Sequence, residues 1–427
     1  MNKILIAIAV LCIAISSCSR TEKRPIHRKS AVLTPDKVEK IKPFQINVYL
    51  ENSLSMAGYV KGPTAFKDAA YTLMGKLSLS TFCSGLNLFY INKTVDPFKP
   101  NIGHNDLSLI NQLTPKTFIA KGIKGTSSDL KSVINAALNR TDNENMSVLI
   151  SDFVFSPGKK QDAATYLNQQ SVGIQMDIAK KLKDFDLSIL VLRMESYFNG
   201  SYYNQVDHNE DINSTRPYFI WFIGNHKQMA QLIKSNIVEQ IAGGYTHQLF
   251  FQNVKAPISA KYKILHSPKV GTFSLREGAQ GPIYDAEASD QPKTQGQFKF
   301  AVATNLMGTL YGSNFYTEKG IVAITKGFNI TPTVLPSTKS KNLEAFSHQL
   351  FISTSVPVRP GDIHVQFRIK IPAWVGQFNS DNDLKIFTDR SQLPKTFGIS
   401  ALMRGVYNGF YPTPEDNLLY KLKLTLK

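Results

Sequence analysis

The sequence predicts an α/β chain: a doubly wound, mostly parallel sheet over residues 43–243, then a β-rich, sandwich-like domain over 245–427. Three observations lead there. Near-continuous apolar runs recur through the first half, as in strands covered on both faces. Segments of helical period separate them, and strand alternating with helix implies parallel pairing. The second half switches to period-two runs, the pattern of antiparallel strands buried on one side. With 427 residues, 42% hydrophobic and 19% charged, the chain is long enough for two cores.

At the N-terminus, Lys3 and the twelve apolar residues Ile4–Ile15 are too short for a membrane span and suit the core of a signal peptide. The run ends in "ISSC", which resembles the lipobox of bacterial lipoproteins, with small Ser16 and Ser17 before Cys18. The resemblance implies removal of residues 1–17 and acylation of Cys18. It places the protein at the bacterial cell envelope, with the outer membrane favoured over the inner and the folded part facing the periplasm or the surface. Residues 18–42 read as a basic tether, eight Lys or Arg against three acids, net +5, in a polar stretch without hydrophobic period. Beside an anionic membrane each such cation adds about 1 kcal/mol of attraction. Of the three cysteines, Cys12 leaves with the signal and Cys18 takes lipid, so Cys83 has no internal partner and stability rests on burial.

The strands of the first half are expected at 44–50, 86–92, 146–153, 187–194 and 217–224, and the helices at 66–80, 127–140, 173–185 and 226–241. The helix at 127–140 opens with a serine cap and an acid in its first turn. In the second half, strands are expected at 297–303, 364–371 and 418–427, with one helix at 397–410 and long loops at 267–296 and 328–345.

The formal charge of +17 falls to +11 once Lys3 and the tether are set aside. Such an excess favours acidic partner surfaces, namely anionic glycans, lipid headgroups or an acidic protein. No base-stacking or groove-reading motif accompanies it, so nucleic acid is not expected. The eight histidines stand at neither metal-ligand nor catalytic spacing, and no nucleophile elbow, phosphate loop or dinucleotide turn occurs. Asp207, Asn209 and Asp211 alternate like the start of a calcium loop. Ile212 and Tyr218 stand where that loop needs Gly and a bidentate Glu, which excludes an EF-hand.

One constellation remains. "YLENSLSMAGY" (49–59) follows the first strand and projects Glu51, Ser53 and Ser55 from its carboxyl end, where open α/β sheets bind ligands. "GTSSDL" (125–130) opens a helix and "VLISDF" (148–153) ends the third strand. Together these resemble the metal-ion-dependent adhesion site of the von Willebrand factor A family, Asp-x-Ser-x-Ser with a distant Thr and a distant Asp, over residues 44–240. The resemblance implies a von Willebrand factor A-like fold and Mg²⁺ or Mn²⁺ held by Glu51, Ser53, Ser55, Thr126 and Asp152. An acidic group of another envelope or surface protein would take the open coordination position. Mg²⁺ is suited to such oxygen ligands, at about 2.0–2.1 Å in octahedral array. Two residues depart from the pattern: Glu51 is one methylene longer than Asp, and Phe153 stands where Gly is common, which implies another path for that loop.

The expected function is protein–protein binding or adhesion in the envelope, without catalysis. One alternative is a metal-free structural component in which the hydroxyls cap helices. Another is a metal-assisted hydrolase with Glu51 or Asp152 as base. Residues 195–216 are expected as a loop on the same rim, where Tyr197, Phe198, Tyr202 and Tyr203 form a partner-binding surface.

Overall fold

A computed structural model describes residues 41–427 except 93, 100, 102–103, 120–128, 160, 313–314, 317–326, 337 and 339. The signal segment, Cys18 and the tether lie outside the described residues. Among those described, no helix is long and apolar enough to cross a membrane.

The chain enters through β1 (Phe44–Glu51), buried along nearly its whole length, and crosses α1 (Ala65–Ser78) to β2 (Cys83–Ile91) and its antiparallel neighbour β3 (Val95–Lys99). Ala69, Leu73 and Leu77, four residues apart on one face of α1, are fully buried, and Thr64 caps its first turn. Short helices α2 (Ser108–Asn111) and α3 (Pro115–Ile119) precede α4 (Leu130–Asn139). Asp129, rather than a serine, is the cap of α4. Then follow β4 (Asn145–Ser151), α5 (Ala163–Asp184), β5 (Leu187–Tyr203), β6 (Asn209–Asn225), α6 (His226–Lys234) and β7 (His247–Gln252). α5 begins ten residues before the predicted start because Asp162 caps a first turn of Ala163, Ala164, Thr165 and Tyr166, and the polar run Asn168–Ser171 that follows carries little hydrophobic signal.

These strands form one sheet in the order β3–β2–β1–β4–β6–β5–β7. β1 runs parallel to β2 and β4; the other ladders are antiparallel. The sheet is therefore mixed, with β1, β2, β4 and β5 pointing one way. The departure from a doubly wound order lies at β5 and β6, a long hairpin paired without a break from Leu187↔Asn225 to Tyr203↔Asn209. The segment expected as a loop at 195–216 is the arm of this hairpin. Its Gly and Asn residues suggest a loop, but aromatic and hydroxyl side chains alternating between its two faces favour a strand.

The second half holds β8 (Ile258–Ser259), β9 (Tyr262–Val270), β10 (Thr272–Ser274), β11 (Tyr284–Glu287), β12 (Phe298–Thr304), β13 (Asn329–Val334), β14 (His348–Thr354), β15 (Gly361–Arg368), α7 (Ala373–Gln377), β16 (Asn379–Ser380), β17 (Thr396–Phe397), α8 (Ile399–Phe410) and β18 (Leu418–Leu426). One sheet runs β13–β14–β12–β9, antiparallel throughout, and another β15–β18–β8. Tyr316 is buried among aromatic residues of both: His348 of β14, Phe367 of β15 and Tyr420 of β18. Both expected long loops contain strands, β10 and β11 in one and β13 in the other. Pro332 in β13 is tolerated because that strand is an edge.

The halves share a continuous core. β7 extends the first sheet, and α8 lies along α5 so closely that a Cβ on Gly405 would stand 2.6 Å from the Ser171 carbonyl.

Candidate functional site

β1 and β4 are adjacent and parallel, with Leu50 opposite Ile150. Glu51 ends the first and Asp152 follows the second, so both carboxylates leave the sheet at the same edge. They are nearly sealed, 1% and 4% exposed. One Glu51 carboxylate oxygen accepts the Ser151 hydroxyl, which in turn accepts the Phe153 N–H at 2.8 Å. Past the end of β1 the Ser53 and Ser55 hydroxyls hydrogen-bond each other at 3.0 Å. Asp152 Oδ1 accepts the Val154 N–H at 3.2 Å. Burial pushes the Asp152 carboxyl above its ordinary range, and the Val154 amide, the Ser55 hydroxyl and the Arg216 charge draw it back.

Four of the five expected ligands thus gather on one rim: Glu51, Ser53, Ser55 and Asp152. Thr126 lies outside the described residues. Among the described residues no three His, Cys, Asp or Glu side chains cluster; the rim is made of two carboxylates and two hydroxyls. That donor set suits a hard cation. Neighbouring corners of an octahedron with bonds of about 2.1 Å are about 3.0 Å apart, the separation of the two serine oxygens. Ser53, Ser55 and Asp152 fit such an ion. Glu51, with one oxygen turned to Ser151, stands behind them at the end of β1.

Phe153, where the resemblance puts Gly, takes φ +50°, the left-handed conformation in which Gly is ordinarily found. Its ring is held flat against Trp221, centroids 4.7 Å apart at 13°.

The hairpin arm walls the site. Gly58 packs under Phe198, whose ring would stand 2.4 Å from an added Cβ. The Tyr59 hydroxyl donates to the Pro217 carbonyl at 2.5 Å. The expected aromatic rim is therefore halved. Phe198 and Tyr202 are buried, because alternate residues of a strand point inward. Tyr197 is 47% exposed and Tyr203 is half-buried.

Two buried arginines escaped sequence reasoning. Arg216 Nη1 donates to the Leu393 carbonyl at 2.6 Å and its guanidinium lies over Tyr202. Arg193 donates to Glu195 at 2.7 Å, Thr246 at 2.8 Å and the Pro394 carbonyl at 2.9 Å, and lies 3.8 Å from the Phe378 ring centroid. Asp383 accepts from the Tyr202 hydroxyl at 2.8 Å and the Gln205 N–H at 2.9 Å; burial pushes its carboxyl up. Residues 378–397 are thereby strapped to the hairpin by charged groups. The available signal was an arginine beside each apolar strand run, since a buried charge must be paired or hydrogen-bonded. Cys83 is half-buried at the start of β2, and burial pushes its thiol up. That favours the inert form.

Comparison of the chain with protein-family models, curated proteins and solved structures returned no match.

Proposed function

We propose that this chain is a lipid-anchored envelope protein that binds another protein through a divalent cation, Mg²⁺ or Mn²⁺, at the carboxyl rim of its central sheet. The carrying observation is the 3.0 Å separation of the Ser53 and Ser55 hydroxyls beside Asp152 on the neighbouring strand. Ser53, Ser55 and Asp152 hold the ion with Glu51 behind them, and the family resemblance adds Thr126 as a further ligand. The ion offers the partner's carboxylate a Lewis-acidic point of attachment. A von Willebrand factor A-like fold for residues 43–243 is the finer reading of β2–β1–β4 in parallel with β3 antiparallel at the edge. A sandwich-like second domain is the finer reading of two sheets meeting around Tyr316. The chain acts as a binder and not as a hydrolase.

A metal-free structural role is favoured by one observation: the buried Arg216 already places a positive charge where Asp152 feels it. The readings part in a capture experiment. The mature chain with Mg²⁺ retains a stoichiometric envelope partner, and EDTA or Ser53→Ala releases it. Capture indifferent to both would support the metal-free role.

A further inference from the structure

We infer that the outward face of the β15–β18 sheet is a second membrane contact, a docking surface for anionic lipid headgroups. This goes beyond the rim reading and does not depend on it; it shares only the placement of the protein beside a membrane. The first observation is an asymmetry of charge. Residues 43–244 hold 19 basic and 17 acidic side chains, net +2, whereas residues 245–427 hold 21 and 12, net +9. The surplus is in the half to which the rim reading assigns no task.

The second observation is where the fold puts part of that surplus. β15 and β18 pair antiparallel, with Gln366 opposite Lys421, His364 opposite Lys423 and Asp362 opposite Thr425. Side chains of a strand alternate between faces, and these rows share one face. Val365, Phe367, Leu422 and Leu424 fill the buried face. Lys421, Lys423 and His364 are exposed, and the chain beyond β15 reaches exposed Lys370. Arg368, at the end of the same row, donates to Gln366, Asn417 and the Pro414 carbonyl. These acceptors are neutral, so they fix its guanidinium without cancelling its charge. The outward positions carry one acid, Asp362, at the far end, where it pairs with Lys423 at 2.9 Å. Arg368, Lys370, Lys421 and Lys423 against Asp362 give the face a net +3.

A charged row on a small exposed sheet also discourages edge-to-edge pairing, which either sign of charge achieves. Here a single sign prevails. A planar lattice of phosphates matches such an extended row better than a compact ligand does; the pocket at the far end of the sheet, lined among others by Asp285, Glu287, Arg359 and Lys427, mixes acids with bases. Each cation near an anionic surface contributes independently, so the four act together without a pocket. With the basic tether, the face supplies a second basic contact in addition to the lipid on Cys18.

Vesicle co-sedimentation of the chain from residue 18, with Cys18→Ser so that no lipid contributes, tests the face directly. Vesicles of phosphatidylcholine with phosphatidylglycerol bind it, pure phosphatidylcholine vesicles do not, and binding weakens as salt shortens the screening length. Lys421→Gln with Lys423→Gln lowers partitioning roughly thirtyfold, about a factor of five per cation. The same exchange at Lys180 and Lys183, exposed on α5, leaves it within twofold. Equal partitioning of the two double variants would assign all attraction to the tether and overturn the proposal. Binding to a sulfated glycan without binding to anionic vesicles would overturn it as well. Neither outcome touches the Mg²⁺ reading, which is measured at the other site.

Discussion

At the scale of single residues, Phe153 sets a bulky side chain on left-handed backbone, at a cost of about 1–2 kcal/mol. Its flat contact with Trp221 and edge contact with Phe219 hold it there. Phe153→Ala keeps the strain and empties the ring site, losing about 3–5 kcal/mol. Phe153→Gly empties the same site but relaxes the backbone, so in urea denaturation it is more stable than the Ala variant by about 1 kcal/mol. The reverse order would show that the backbone there is unstrained. Asp383 makes a prediction about pH. Burial raises its folded pKa above the unfolded value, so the folded state holds the proton more tightly. Its stabilising contribution is complete below the unfolded pKa, about 3.9, and is lost as pH rises through the folded value. Relative to Asp383→Asn, the wild type therefore loses stability as pH climbs from about 4. Parallel stability curves for the two proteins would contradict this.

At the scale of elements, the α8–α5 contact depends on two glycines. A Cβ on Gly405 would meet the Ser171 carbonyl at 2.6 Å, and one on Gly409 would meet the Ile178 Cβ at 2.6 Å. In an open helix Gly→Ala gains up to about 1 kcal/mol. Here overpacking costs about 1–3 kcal/mol, so Gly405→Ala and Gly409→Ala each lower the melting temperature; a rise would mean the helices separate easily. Strands β1, β2, β4 and β12 and helices α1, α4 and α8 were legible in the sequence because their apolar periods decide burial. The hairpin arm of β5 and β6 was not, because Asn199 and Gly200 carry loop composition within an alternating strand. The pairing of β6 between β4 and β5 is equally hidden, since strand order depends on partners distant in sequence.

At the scale of the whole molecule, the rim was readable from local spacing. Ser53 and Ser55, two apart beyond a buried strand, and Asp152 beyond another, converge because β1 and β4 are parallel neighbours. The orientation of Glu51 toward Ser151 was not readable, because it depends on which hydroxyl stands across the ladder. Nor were Arg193 and Arg216, whose partners Leu393 and Pro394 lie some 180 to 200 residues away. Their carbonyl contacts tie the C-terminal strap to the hairpin that walls the rim, so the site and the second half form one assembly.

The central claim is that the rim takes up a divalent ion, and titration of the folded chain with Mg²⁺ while following thermal unfolding tests it most directly. Saturable stabilisation, reaching about 2.7 kcal/mol at a hundredfold excess over the dissociation constant and lost in Ser53→Ala and Asp152→Asn, is the predicted result. A melting temperature unmoved by Mg²⁺ or Mn²⁺ in the wild type would contradict it.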